Sequence, residues 1–174
     1  RMLNDVIRKM PEGEIEIYSD EATYVSFKSG DIVFDKIPAH GGETFTLLPN
    51  VNYNYNFKIY ALTLKDMIRQ TIFSVAGEEA NRMMTGELFE IKNTHLRIVS
   101  LDGHRVALRQ VPLREHNDNR KVIIPARTLS EISKIIGDDP EEEIWISISD
   151  NHILFKYGQT RIVSLLIDGD YYEI

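Results

Sequence analysis

No cysteine occurs anywhere in the chain, so a disulfide framework, a thiolate zinc site and a cysteine nucleophile are all excluded. That composition suits a reducing cytosol, and the expected location is cytoplasmic. No apolar run approaches the roughly eighteen residues needed to span a bilayer, and no signal peptide is evident, so no membrane partner is expected. A surplus of positive charge is also missing: the formal net charge is −7, which argues against a simple basic nucleic-acid binder. There is no glycine-rich phosphate loop, since Gly41-Gly42 alone is too weak a signal. The five histidines, His40, His95, His104, His116 and His152, fall in separate loops without helical i, i+4 pairing, so no metal site and no cofactor are expected. The acidic run Asp138-Asp139-Pro140-Glu141-Glu142-Glu143 lacks the alternating ligand spacing of a calcium loop and reads as a solvated turn.

What the chain does contain is one pattern used three times in 174 residues. Each copy is an amphipathic helix followed by three short alternating strands. The copies start near Arg1, Leu62 and Ala126, about sixty residues apart, which is the signature of a repeated supersecondary unit. Apolar residues recur at helical spacing as Leu3, Val6, Ile7 and Met10, with Pro11-Glu12-Gly13 as the stop. They recur as Leu64, Ile68, Ile72, Val75 and Ala76, with Thr63 expected as N-cap and Gly77 as stop. They recur again as Leu129, Ile132, Ile135 and Ile136, with Pro125 ahead and Gly137 as stop. The segments between alternate with period two and are rich in Ile, Val, Tyr and Phe. In the second copy the expected strands are Glu87 to Ile91, Leu96 to Ser100 and Val106 to Val111, with turns at Lys92-Asn93-Thr94 and Asp102-Gly103.

Gly, Asn and Pro concentrate between Ala39 and Asn56, which places a domain boundary near Asn50 to Asn56. Phe57-Lys58-Ile59-Tyr60 and Lys121-Val122-Ile123-Ile124 then each lead into a helix. The expected organisation is residues 1–55 as the second half of one domain plus linker, and 56–174 as a complete domain of two tandem strand-helix-three-strand halves. The fold class is α+β, with helices on one face of antiparallel sheets. A chain that opens on Arg1 inside a helical pattern and stops without a closing element is expected to be a piece of a longer protein.

Charge is distributed unevenly. The helical segments carry +2, +1 and +1, leaving −11 on strands and loops against the total of −7. Small numbers of charges on solvated faces scatter this widely by chance, and a real division into basic helices and acidic strands and loops fits equally well.

The most distinctive string is Ser100-Leu101-Asp102-Gly103-His104-Arg105-Val106-Ala107. Asp102 and His104 are spaced to share one face of a hairpin, so an orienter–base pair of a hydrolase is geometrically open, although no nucleophile accompanies it. An ordinary Asp-Gly turn accounts for the same residues. Met83, Met84, Leu101, Val106 and Tyr172 read as core, or as one wall of an adaptable peptide groove.

These residues, with Phe73-Ser74-Val75-Ala76, Thr85-Gly86 before Leu88-Phe89-Glu90, the run from Leu96 to Ala107, Val122-Ile123-Ile124-Pro125-Ala126-Arg127 and Leu166-Ile167-Asp168-Gly169, resemble the bacterial DNA polymerase III beta subunit, the sliding clamp family. The resemblance covers essentially the whole chain. It implies a DNA clamp fold: part of a homodimeric, head-to-tail ring with three domains per subunit, helices lining the hole around duplex DNA and sheets outside. It also implies a non-catalytic processivity subunit of the polymerase holoenzyme, with no catalytic residue, metal or cofactor. The implied partners are double-stranded DNA, bound without sequence preference, and the polymerase alpha subunit, clamp loader and repair proteins, bound through short linear motifs. An interaction scaffold that never touches DNA, and the hydrolase, remain the alternative functions.

Carried over residue by residue, the resemblance places DNA contacts at Arg1 and Arg127, and more loosely at Arg8, Lys65, Arg69 and Lys134. The loop Gly77-Glu78-Glu79-Ala80-Asn81-Arg82 departs from relatives, which often carry polar or basic groups there, and leaves Arg82 as substitute. The matching peptide-groove positions are Met84, Leu101, Gly103, His104, Arg105, Val106 and Tyr172. Relatives often have threonine at the position of Leu101 and proline at that of Tyr172.

Overall fold

The computed structural model describes residues 2–19, 23–45, 47, 49, 55–77 and 81–174. The chain divides into two compact units, residues 1–49 and 50–174. Residues 50–54, at the centre of the expected boundary, and Arg1 lie outside the described residues.

In the first unit, helix α1 (Met2–Ile7) precedes strands β1 (Glu16–Ser19), β2 (Tyr24–Ser29) and β3 (Ile32–Pro38), which form an antiparallel sheet in that order. The helix is shorter than the expected Leu3 to Met10. Its last turn loosens as Lys9 N–H bonds back only to Val6 O and Met10 N–H to Ile7 O. Val6, Met10 and Phe27 form a small core, supported by Ile7, Ile15, Val25, Phe34 and Ile37.

The second unit opens with β4 (Tyr55–Tyr60), which runs without a loop into α2 (Ala61–Thr71). Thr63 therefore sits inside the helix and Tyr60 occupies the N-cap position, with no side-chain cap. An orphan donor of the first turn is satisfied from elsewhere, because Ala61 N–H donates to Glu142 O at 2.8 Å. The helix also stops well before Gly77. The buried Thr71 hydroxyl donates back to the carbonyls of Met67 and Ile68, and Ile72–Ser74 tighten into a 3₁₀ turn. Helix α3 (Ala126–Ile135) likewise follows Pro125 directly, ending where Ile136 turns extended. Gly137 has no left-handed role there; its N–H donates to the Tyr157 hydroxyl at 3.0 Å.

Where three strands were expected in the second copy, two long ones occur, β5 (Gly86–Leu101) and β6 (Val106–Pro125), paired antiparallel. Within β5 the chain nevertheless folds back at Asn93, which holds φ 52. Seven strand residues span about 23 Å when straight, yet Glu90 and Arg97 form an ion pair at 2.6 Å. The Lys92-Asn93-Thr94 turn is thus present, spliced into one continuous extended segment. Residues 86–91 pair with 120–125 and residues 95–101 with 106–112. The chain between the two halves of β6 bows out: Arg114 lies over the Tyr60 ring at 4.1 Å, and Asp118 O accepts from the Tyr55 hydroxyl.

After α3, strands β7 (Glu143–Ile148), β8 (His152–Tyr157) and β9 (Thr160–Leu165) form a meander, and β4 joins it in the order β4-β7-β8-β9. The tandem halves are therefore not self-contained. The strand leading into α2 pairs with the strand following α3, and residues leading into α3 pair with the strand following α2. Alternating residues of both sheets and the inner stripes of both helices merge into one core, with Leu64, Met67, Phe89, Ile98, Leu129, Ile146 and Phe155 almost fully buried. Each such side chain contributes about 1.5–3 kcal/mol by burial.

Two tight points follow. A Cβ on Gly86 would stand 2.6 Å from Ile124 O and 2.8 Å from Ile167 Cδ1. Glu87 is fully buried on the helix-facing side, and among the described residues its carboxylate oxygens meet no well-formed hydrogen-bond donor. Burial pushes its pKa up to about 8. The neighbouring Thr71 hydroxyl offsets this only slightly, being already committed to backbone carbonyls. We expect Gly86→Ala to cost about 1–3 kcal/mol in denaturant unfolding, because backbone must move. Because the folded pKa of Glu87 exceeds the ordinary value of 4.5, its stabilising contribution is complete below pH 4.5 and is lost as pH rises to about 8. Glu87→Gln should therefore match the parent near pH 4.5 and exceed it by a margin of several kcal/mol near pH 8, at about 1.4 kcal/mol per pKa unit. Denaturation midpoints measured across that range check the slope.

Candidate nucleic-acid and peptide interface

The Asp102 to Arg105 turn closes the tip of the β5–β6 hairpin, where Leu101 pairs with Val106. Gly103 takes φ 88, a left-handed position that L side chains adopt at a cost. Asp102 Oδ1 accepts from the backbone N–H of His104 at 3.0 Å and of Arg105 at 3.1 Å, and Oδ2 accepts from Arg105 Nε at 2.8 Å. Those donors, the His104 N–H first and the Arg105 side chain next, hold the Asp102 carboxyl below its usual range. The carboxylate is thereby spent on the turn. It does not orient the His104 imidazole, and the orienter–base pair of the hydrolase alternative is not formed.

The turn instead presents side chains. His104 and Arg105 are exposed, Val106 is 54% exposed, and Leu101 is buried beneath them. Tyr172 and Met84 are tied to the sheet through Met83, already read as core or groove wall, and through Asn81 and Tyr171, which had no assigned role. Asn81 caps the 3₁₀ turn Arg82–Thr85 by accepting from Met83 N–H, and its amide donates to the Tyr172 hydroxyl at 3.1 Å. Met83 and Tyr171 pack on the cluster of Leu88, Val99, Ile123 and Ile167. Burial there pushes the Tyr171 phenol up to about 12. An Asn two residues ahead of an apolar pair is a recognisable capping signal; Tyr171 has no local signature, since only the return of residues 166–172 to the sheet gives it a role. A cavity of about 1090 Å³ under that returning segment, lined among others by Glu90, Arg97, Lys121 and Asp168, shares only Tyr172 with the expected groove residues.

The expected DNA contacts differ in availability. Lys65 Nζ donates to Ile136 O at 2.9 Å and to Asp138 at 3.3 Å, so this ammonium ties α2 to the end of α3. That contact also sets the two helices antiparallel, which brings Arg69, near the end of α2, and Arg127, at the start of α3, to the same end of the pair. Both are exposed, and among the described residues neither forms an ion pair. Lys134 is exposed and pairs with Glu131 at 2.8 Å. Arg82 is exposed on its 3₁₀ turn, while residues 78–80 of its loop lie outside the described residues. Arg8 is exposed in the first unit, just after α1.

Residues 58–173 match the family described as the DNA polymerase III beta subunit, central domain. A beta sliding clamp from Halalkalibacterium halodurans is 33% identical over 98% of this chain, which corresponds to 45% of that relative. Among solved structures, a DNA polymerase III beta subunit from Eubacterium rectale is 40% identical with a TM-score of 0.87, over 99% of this chain and 47% of the other. A DNA polymerase sliding clamp from Bacillus subtilis is 29% identical with a TM-score of 0.86, again over 99% of this chain and 45% of its own. The chain thus spans about half the length of the relatives it matches.

The turn geometry gives a direct expectation. Asp102→Ala should speed amide hydrogen exchange at His104 and Arg105. Asp102→Asn, which keeps the acceptor for those two N–H groups, should leave it near the parent rate; equal protection in all three proteins would contradict the assigned bonds.

Proposed function

The chain belongs to the DNA polymerase III beta subunit family, the beta sliding clamps, and from that premise we propose that it is part of a ring that encircles duplex DNA and tethers the replicative polymerase. The observation that carries this reading is the pair of exposed arginines, Arg69 and Arg127, which form no ion pair among the described residues and lie at one end of two antiparallel helices on a chain whose net charge is −7. Cations confined to a helical face attract phosphates without reading bases, which suits a protein that must slide. Acidic strands and loops discourage adhesion elsewhere. Arg8, Arg82 and Lys134 add to the same term, and Arg1 joins them by resemblance. Lys65 is assigned a structural role first, because its ammonium is already engaged.

The work is positional and needs no catalytic group. We assign the Asp102 turn as one wall of a peptide groove: Leu101 and Val106 offer apolar contact, Met84 an adaptable one, and Gly103, His104 and Arg105 the rim, with Tyr172 across from them. It would take short linear motifs of the polymerase alpha subunit, clamp loader and repair proteins. In this reading residues 1–55 are the second half of a first domain with its linker and 56–174 the middle domain. The parent protein closes as a head-to-tail homodimer and acts in the cytoplasm, associated with the nucleoid.

Loading the full-length parent onto nicked circular plasmid tests the DNA half. The parent should stay on circles and leave on linearisation. Arg69→Glu with Arg127→Glu should shorten retention on circles and flatten the slope of log affinity against log salt by about 2. Loss from circles and linear molecules alike, in the unaltered parent, would favour the DNA-free scaffold. His104→Ala should weaken binding of a polymerase-derived motif peptide roughly tenfold, about 1.4 kcal/mol, without altering DNA retention. If the same change abolished a measurable hydrolysis, the hydrolase would stand instead.

A further inference from the structure

The two halves of residues 50–174 correspond through their pairing registers. Tyr60 and Pro125 immediately precede α2 and α3, and their partners are Glu143 and Gly86. Two residues back, Lys58 pairs with Trp145, and Ile123 pairs with Leu88. Carried across the sheets, one row reads Lys58, Trp145, Lys156 and Arg161. Its equivalent reads Ile123, Leu88, Val99 and Leu108. Strand alternation puts both rows on the face turned away from the helices.

The chain treats these equivalent rows differently. Three members of the apolar row, Ile123, Leu88 and Val99, are covered by the chain's own returning segment, while Leu108 at its end is exposed. Ile167 N–H donates to Ile123 O at 2.9 Å, and Ile167 and Tyr171 pack on Leu88, Val99 and Ile123. That covering segment also carries Asp168, Asp170 and Glu173. The other row is open. Trp145 is 50% exposed, and Lys156 and Arg161 are exposed with no ion pair among the described residues. Lys58 is shared between Glu143 at 3.1 Å and the Trp145 ring at 5.6 Å. Beside the row lie the half-buried Leu154 and Val163. Two uncompensated cations around an exposed indole, on an acidic chain, form a local reversal of sign.

We propose that this face of the β4-β7-β8-β9 sheet docks an extended acidic segment of a partner protein. An apolar side chain of that segment rests on Trp145, Leu154 and Val163, and its carboxylates reach Lys156 and Arg161. The occupant is a polypeptide for two reasons. The equivalent place in the other half is already filled by polypeptide, whose Ile167 and Tyr171 pack on the row and which also carries Asp168, Asp170 and Glu173. Leu154 and Val163 reward an aliphatic or aromatic side chain and offer phosphates nothing. Aromatic stacking with cations also suits single-stranded nucleic acid, which makes an oligonucleotide the decisive control. This site is separate from the peptide groove assigned above and does not depend on it.

Trp145 is the only tryptophan in the chain, so its emission reports on this site alone. The full chain is titrated with a synthetic twelve-residue peptide alternating Asp with Leu and Phe, with a copy carrying Ser at every apolar position, and with an oligothymidylate of similar length. The alternating peptide should shift Trp145 emission saturably, and the Ser copy should bind at least tenfold more weakly. Lys156→Glu with Arg161→Glu should weaken the alternating peptide at least tenfold, and the milder Lys156→Gln with Arg161→Gln should weaken it less. His104→Ala should leave the titration unchanged. Equal binding by the charge-reversed protein, equal binding of the Ser copy, no saturable shift, or tighter binding of the oligothymidylate would each overturn the proposal.

Discussion

One exchange holds the larger unit together: the strand that leads into each helix is hydrogen-bonded into the sheet that follows the other helix. Without it, each half would be a helix on a three-stranded meander, with too little apolar surface enclosed to offset the entropy of ordering it. With it, α2 and α3 lie over two sheets that cannot separate without breaking backbone pairing, and their side chains merge into one core. The absence of a linker between β4 and α2, and between β6 and α3, is part of the same constraint. A helix that begins in the residue after a strand has little freedom to swing away from that strand's sheet. Arg69 and Arg127 owe their common end of the helix pair to this geometry.

Much of this was legible in the residues because burial writes periodicity. The three helices, the alternation of the strands and the Asp102 turn all have local causes: apolar spacing, β-branched content and a carboxylate beside glycine. What was not legible has non-local causes. Thr63 has the chemistry of an N-cap, but the Ala61 donor finds Glu142 across the sheet, so no side-chain cap is required and the helix starts earlier. Gly77 looks like a stop, but Thr71 turns its hydroxyl inward and ends α2 sooner. The strand exchange leaves no trace in composition, because both leading strands would read alike in either sheet.

The site divides along the same line. The turn from Asp102 to Val106 was readable as a unit, since adjacent residues form it. Tyr171 was not, since only the return of residues 166–172 brings it to the sheet beside Met83. Lys65 is a further case: a cation on a basic helix reads as a phosphate ligand, and nothing in its neighbours along the chain announces that its ammonium donates to Ile136 O and Asp138. Glu90 makes a similar point. Burial alone would raise its pKa, but Lys92, Lys121 and Arg97, at 3.1, 3.3 and 2.6 Å, overcome burial and hold it low. Three cations that would be counted as outward-facing charge are largely consumed there.

The exchange also sets a schedule for the nascent chain. Lys58 on β4 meets its neighbour Glu143 on β7 only after a separation of 85 residues. At about 5–20 residues per second of synthesis, β4 waits roughly 4–17 s on the ribosome before its pairing partner exists. During that interval it is an unpaired strand carrying Phe57 and Ile59, the kind of edge that recruits the wrong neighbour. Helix α2, which follows at once and can bury those residues locally, acts as a temporary cover for a sheet that has not yet been made.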